Sequence, residues 1–388
     1  MLRLHNLFGR SIHLAGLIVV FYLLPSSKAV RAEIPPETRA KIDDIAARPV
    51  SNGVTPAIMV GVIKGNDRLV RGFGEVAVGS GTRPSSTTEW EIGSITKTFT
   101  AMLLAIYVQR GVLRYEDPLQ KYVPVWVTVP TFEGRKIRLI DLATHTAGLP
   151  KDPDLRGVRH LGVERMYKML NAFELSRAPG ERFEYSNWGF ALLAHAIMRA
   201  TAQDYQHLVE SEICMPLGLT STRIELTSDE LTREAQGYGP EGRPRPHDNP
   251  TWPAFNGAGA LRSTMDDMMR YLAYNMGRAN TPLDSLLPEL QREWHVGGRP
   301  GTFVGLAWQM LPMRGTDHVI IWKNGAASGF FSYIGFVKET GTGVVVLANR
   351  KTPVGRIANE ILRMLNGANI IEGQPPEEDQ EPEDPPSR

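Results

Sequence analysis

Strand-like segments sit at both ends of this chain, with a long helical stretch between them, and that arrangement restricts the folds open to it. Near the amino end, residues 57–63 and 68–74 flank a Lys64-Gly65-Asn66-Asp67 turn, which predicts a β-hairpin. Near the other end three more strands are expected: 305–311, then 318–323 running on past Gly329 into 330–337, and 343–349. Short links between successive strands imply antiparallel pairing, so the two chain ends share one sheet flanked by helices. Residues 94–300 read as helix and long loop without convincing strands; helices are expected over 139–144, 163–171, 189–202, 206–213 and 265–274. Further helices are expected over 36–47 and 354–365. The fold class is therefore α/β (α+β), an antiparallel sheet from both chain ends with an inserted all-α lobe, and the site is sought between lobes.

The 388 residues, 42% hydrophobic and 22% charged, are enough for one large domain. A formal net charge of +1, with no basic patch interleaved with aromatics, argues against nucleic acid as a partner. Residues 1–32 read as a secretory signal: Arg3 and Arg10 lead an apolar run over 14–24, and Val30-Arg31-Ala32 offers a cleavage site before Glu33. That run is short for a bilayer, so no stable membrane span is expected after cleavage, an uncleaved anchor being the alternative. The lone Cys214 forbids an internal disulfide and reads as a small core residue; an exported protein without disulfides fits a periplasm. The folded domain is expected over 33–370, with an α/β lobe from 33–90 and 301–370 and the all-α lobe from 91–300. Residues 371–388, rich in Pro, Glu and Asp, are expected to be a disordered acidic tail, and the protein a monomer.

Chemistry enters with Glu91-Ile92-Gly93-Ser94-Ile95-Thr96-Lys97-Thr98-Phe99. Three positions make about one helical turn, so Lys97 reaches the Ser94 hydroxyl at the head of a helix expected over 94–110 and ended by Gly111. A serine hydroxyl attacks a carbonyl usefully only when a neighbouring base takes its proton, and Lys97 is the candidate base. At the first turn, unpaired backbone N–H groups favour a developing oxyanion. Alone, the motif reads equally well as an N-capping serine followed by a solvated lysine.

Two further motifs accompany it. Tyr185-Ser186-Asn187 follows Ala178-Pro179-Gly180 and precedes a helix. A tyrosine near lysines can shuttle a proton from nucleophile to leaving group, and Asn187 offers a donor and an acceptor to a substrate amide. Lys323-Asn324-Gly325-Ala326 ends an apolar strand, where the glycine lets a substrate backbone lie flat and the cation holds a carboxylate. Each motif alone is common as a turn or loop anchor; together and in this order they are specific.

Ser-x-x-Lys, Tyr-x-Asn and Lys-x-Gly in this order resemble the penicillin-recognising serine enzymes, in the branch of class C β-lactamases and low-molecular-mass class C penicillin-binding proteins. Phe73-Gly74, residues 142–150, 215–219, 257–264 and 323–336 extend the resemblance over nearly the whole mature chain. Arg83-Pro84, residues 129–132 and 142–150 look most like the D-alanyl-D-alanine carboxypeptidase/endopeptidases. The resemblance implies Ser94 as acylated nucleophile, Lys97 as base, Tyr185 as proton relay, Asn187 as a substrate-amide contact and Lys323 as electrostatic anchor. It further implies Asn324, Gly325 and Ala326 lining the substrate, the backbone N–H groups of Ser94 and Ala326 as oxyanion hole, and Arg356 as a second carboxylate-binding cation. The implied substrate is a peptidoglycan peptide or a β-lactam, with no cofactor. Two departures favour peptide cleavage over lactam turnover: Asn324 replaces a threonine, and Asp152 and Asp154 stand where lactamases of this class offer a glutamine.

Other chemistries lack their residues. There is no Gly-x-Ser-x-Gly, no His-Glu-x-x-His and no cysteine pair, and no metal is expected. His145 is expected to order its loop by hydrogen bonding, and Trp90, Trp188 and Trp252 to be core or cleft wall. The alternatives to a peptidase are a class C β-lactamase, a carboxylesterase on the same scaffold, and a non-catalytic sensor acylated by penicillins.

Overall fold

The computed structural model describes residues 34–155, 161–245, 253–313, 315–327 and 329–367. The expected signal, the acidic tail and Trp252 lie outside them. In chain order, helix α1 (Pro36–Ser51) is followed by strands β1 (Ala57–Lys64) and β2 (Asp67–Gly74), a short β3 (Glu89–Glu91) and helix α2 (Thr96–Gln109). Next come β4 (Thr131–Phe132) and β5 (Arg135–Lys136), then α3 (Leu139–Ala143), α4 (Val163–Asn171) and α5 (Asn187–Thr201). After β6 (Arg262–Thr264) and the helix Met265–Asn275, the chain runs through β7 (His295–Val296), β8 (Phe303–Val304), β9 (Gln309–Pro312), β10 (Val319–Ala327), β11 (Phe330–Val337) and β12 (Thr342–Ala348). The helix Val354–Leu365 follows.

One antiparallel sheet has the order β2-β1-β12-β11-β10-β9-β8-β7. The amino-terminal hairpin therefore joins the carboxyl-terminal strands through β1–β12, with Ile58 opposite Ala348 and Lys64 opposite Thr342. Alternation along the strands divides the core in two. Ile58, Val60, Val62, Val344 and Val346 pack under α1 and the last helix, through Ile42, Ile45, Ile357 and Ile361. Met59, Ile63, Val345 and Leu347 face the larger core with α2, α5 and the helix Met265–Asn275. Burying each such side chain contributes about 1.5–3 kcal/mol. Gly61 lets that helix lie close, since a Cβ there would stand 2.5 Å from Met269 Sδ.

The sheet from both chain ends is as expected, but the middle of the chain is not free of strands. β3 pairs β6, β4 pairs β5, and β7 extends the main sheet at its edge. These pieces are too short for a period of two to stand out. The expected strand over 305–311 is also divided: Ala307 has φ +67°, and Gly305 N–H donates to Trp308 O at 2.8 Å, so a tight turn separates β8 from β9. Helix α2 is buried all round from Thr96 to Tyr107, which requires its polar residues to find partners inside. Thr98 Oγ1 donates to Ile95 O, and Thr100 Oγ1 meets Tyr205 Oη and Gly257 O, all at 2.7 Å.

Candidate active site

Ser94 does not open the α-helix itself; it lies in a 3-10 turn, Gly93–Ile95, wedged between β3 and α2. Two glycines make the wedge possible. Gly93 has φ +50°, and a Cβ there would stand 2.6–2.7 Å from the Ala326 backbone. A Cβ on Gly325 would stand 2.1 Å from Ile92 O and 2.9 Å from Ser94 N. Strand β9 pairs with β10 only through Trp322, so residues 323–327 are left open on that side, and the nucleophile turn seats there. Ser332 Oγ fastens the turn by donating to Ile92 O at 2.8 Å. The backbone of the nucleophile turn is thereby packed directly against that of Gly325 and Ala326.

Lys97 is fully buried, one turn along from a half-buried Ser94. Its Nζ lies 2.9 Å from Ser94 Oγ, 2.7 Å from Asn187 Oδ1 and 2.6 Å from Ala258 O. The Ala258 carbonyl reaches it because Gly257 packs against α5, where a Cβ would meet Ala194 Cβ at 2.2 Å. Tyr185 Oη donates to Ser94 Oγ at 2.7 Å, and its ring centroid lies 5.0 Å from Lys97 Nζ and 4.6 Å from Lys323 Nζ. Desolvation, and next the nearby charge of Lys323, hold the Lys97 pKa well below that of an ordinary lysine. A neutral amine has two N–H bonds and one lone pair. In that form the two carbonyl oxygens accept the N–H bonds, and the lone pair is left for the Ser94 hydroxyl proton; the protonated amine instead donates to Ser94 Oγ.

Tyr185 is held by the turn that starts α5. Ser186 caps that helix, its Oγ accepting from Gly189 N–H at 2.8 Å and donating to Pro150 O at 2.7 Å. His145, with φ +59°, accepts the Ser186 N–H at Nδ1 over 3.0 Å and receives Glu184 N–H at its carbonyl. It packs against the rings of Phe183, Tyr185 and Phe190, and burial, with Lys323 and Lys97 nearby, keeps it neutral. The loop-ordering role expected of His145 is what its contacts describe.

The structure brings together Ser94, Lys97, Tyr185, Asn187 and Lys323, with Gly325 and Ala326 beside them. The surroundings of Lys323, Asn187, Arg356 and Asn324 differ. Lys323 is only 1% exposed and lies under the Tyr185 ring. Asn187 spends both ends of its amide inside the protein, Oδ1 on Lys97 and Nδ2 on Asp152 Oδ1 at 3.0 Å. Arg356 is exposed in the first turn of the last helix and makes no hydrogen bond or ion pair among the described residues. Asn324 is half-buried on β10. Two participants carried no role from sequence: the Ala258 carbonyl, which no residue type announces, and Asp152, noted there only as standing, with Asp154, where lactamases of this class offer a glutamine.

A lysine whose charged form is disfavoured by burial and a tyrosine hydroxyl, meeting on one serine oxygen, are the parts of a serine hydrolase working by acyl transfer. Comparison with known proteins agrees. Residues 42–368 match the family model described as Beta-lactamase, and the chain belongs to that family. It is 32% identical over 371 residues to the D-alanyl-D-alanine-carboxypeptidase/endopeptidase AmpH of Escherichia coli K12, covering 90% of this chain and 92% of that protein. The solved Beta-lactamase/D-alanine carboxypeptidase from Yersinia pestis, complexed with citrate, is 26% identical with a TM-score of 0.73, covering 85% of this chain and 98% of the other. A class C beta-lactamase, 21% identical with a TM-score of 0.76 over 87% of this chain and 98% of its own, shares the fold.

Proposed function

We propose that this serine hydrolase is periplasmic, works as a monomer and cleaves D-Ala-D-Ala type peptidoglycan peptides through an acyl-enzyme on Ser94. The observation that carries this reading is the convergence on Ser94 Oγ of Lys97 Nζ at 2.9 Å and Tyr185 Oη at 2.7 Å. Lys97 takes the Ser94 proton as Oγ bonds to the substrate carbonyl carbon. The N–H groups of Ser94 and Ala326 receive the oxyanion; Tyr185 passes a proton to the leaving amine as the C–N bond breaks, and water then releases the acyl group. The cation of Lys323, close under Tyr185, favours negative charge on the phenol oxygen and at the substrate's carboxyl end. The resemblance to carboxypeptidase/endopeptidases over nearly the full length supports a peptide substrate.

Purified muropeptides and a fluorescent penicillin test this together. The wild type should release terminal D-alanine and form a penicillin adduct, Ser94→Ala should form none, and Lys97→Ala should acylate about 10²–10⁴-fold more slowly. A short-lived adduct without D-alanine release would indicate a lactamase, a long-lived adduct without turnover a sensor, and ester cleavage without an adduct an esterase. Persistence of the adduct in Ser94→Ala would overturn the assignment of the nucleophile.

A further inference from the structure

We propose that Asp152 is a positioning residue for this reaction: acting through the Asn187 amide, it keeps the lone pair of Lys97 directed at Ser94 Oγ. The inference rests on the reading of Ser94 and Lys97 as nucleophile and base. A carboxylate only accepts hydrogen bonds, so Asp152 Oδ1, 3.0 Å from Asn187 Nδ2, compels the amide to present its NH2 there. The carbonyl end must then face Lys97, 2.7 Å away, and takes one of its N–H bonds. Ala258 O, at 2.6 Å, takes the other. The lone pair of the neutral amine has one neighbour left, Ser94 Oγ at 2.9 Å.

With the amide turned over, Asn187 Nδ2 would become a donor beside Lys97 and compete with the Ser94 hydroxyl for that lone pair. Asp152 forbids this, because two acceptors would then face each other. Asp152 is itself firmly placed. The carbonyl of Lys151 accepts from the backbone N–H groups of Asn187 at 2.7 Å and Trp188 at 3.2 Å, while Pro150 O accepts from Ser186 Oγ. Asp152 is half-buried and makes no other hydrogen bond or ion pair among the described residues.

Asp152 also acts on Lys97 by charge. The groups facing Lys97 are Lys323 from β10, Lys151 and Asp152 from the loop after Pro150, neutral His145, and the rings of Tyr185 and Phe190. Lys323 and Lys151 favour the neutral amine, and Asp152 opposes them. Removing the carboxylate should therefore free Lys97 of its proton at lower pH while loosening the aim of its lone pair. A residue that merely held the loop would not combine these two effects.

The test is the pH profile of acylation by a fluorescent penicillin, for the full chain and its Asp152→Asn and Asp152→Glu variants. In Asp152→Asn the acidic limb should move to lower pH while the plateau rate falls about ten- to a hundredfold, as expected when a catalytic group is misdirected. Asp152→Glu, which keeps the charge, should leave the limb near its wild-type position. Asp152→Ser serves with the same expectation if the asparagine variant does not fold. An unmoved limb, or a moved limb with an unchanged plateau, overturns the proposal. Labelling of Ser94→Ala would instead overturn the underlying assignment, whereas a silent Ser94→Ala with an unmoved Asp152→Asn limb sinks only the role of Asp152.

Discussion

Lys97 and Glu89 are both sealed from water, and burial drives each toward its neutral form, which means opposite pKa shifts. For Lys97 the result is chemical: a base ready at the nucleophile. Glu89 stands on β3, just upstream of the nucleophile turn, with Oε2 lacking a hydrogen-bond partner among the described residues and Arg233 Nη1 3.4 Å from Oε1. Desolvation, then the charge of Glu230, pushes its pKa up to about 8, against the pull of Arg233. Between the ordinary 4.5 and about 8 the folded chain holds a proton there that the unfolded chain lacks, so this contribution to stability is lost as pH rises through that window. Lys97 works in the other sense, since below 10.5 the unfolded chain binds the extra proton and its contribution grows with pH. Glu89→Gln should therefore blunt the loss of stability between pH 4.5 and pH 8, by on the order of 1–3 kcal/mol, in thermal melts at the two pH values. Equal pH dependence in variant and wild type would refute it.

Among elements, the contact between the 3-10 turn Gly93–Ile95 and β10 decides whether there is a site at all. The sequence marks Gly325 as a glycine beside a lysine, suited to a substrate lying flat. Its packing gives a second reason: the nucleophile's own backbone occupies the space a side chain would need, with Ile92 O and Ser94 N within 2.1 and 2.9 Å of a Cβ. Gly325→Ala must push β10 and the turn apart, costing about 1–3 kcal/mol and, by separating Ala326 from Ser94, on the order of 10²–10³ in acylation rate. Stopped-flow acylation and a denaturation curve check the two figures; near-wild-type acylation would show that the turn has room to move. Helices with a clear period were readable in advance: α4 spans Val163–Asn171 and the last helix Val354–Leu365, as expected. The π-helical stretch Glu210–Cys214, continuing Tyr205–Val209 toward Met215–Leu217, was not, because one extra residue per turn leaves no mark in an apolar pattern.

At the scale of the whole molecule, Asn349 joins segments far apart in the chain. Its Oδ1 accepts from Ala57 N–H at 2.8 Å and Thr55 Oγ1 at 3.1 Å, and its Nδ2 donates to Gln236 O at 2.9 Å and Val76 O at 3.2 Å. With the side chain fully buried, Asn349→Ala would strand these partners away from water. The expected cost is about 2–5 kcal/mol, seen as a lower denaturation midpoint with an unchanged slope. A loss below about 0.5 kcal/mol, the range of a surface change, would mean the two chain ends hold together without it. The same separation of scales divides what was readable in advance from what was not. Residue order alone determined the periodicities that make a two-ended sheet with helices around it, and the one-turn spacing that puts Lys97 beside Ser94, because both are local properties of a backbone with few conformations. Only the tertiary structure decided that Tyr185, Asn187 and Ala258, lying 91, 90 and 161 residues from their partners, converge there. It also decided that the charged form of Lys97 is disfavoured, since desolvation and the placing of a backbone carbonyl depend on everything packed around a residue and on no residue's identity alone.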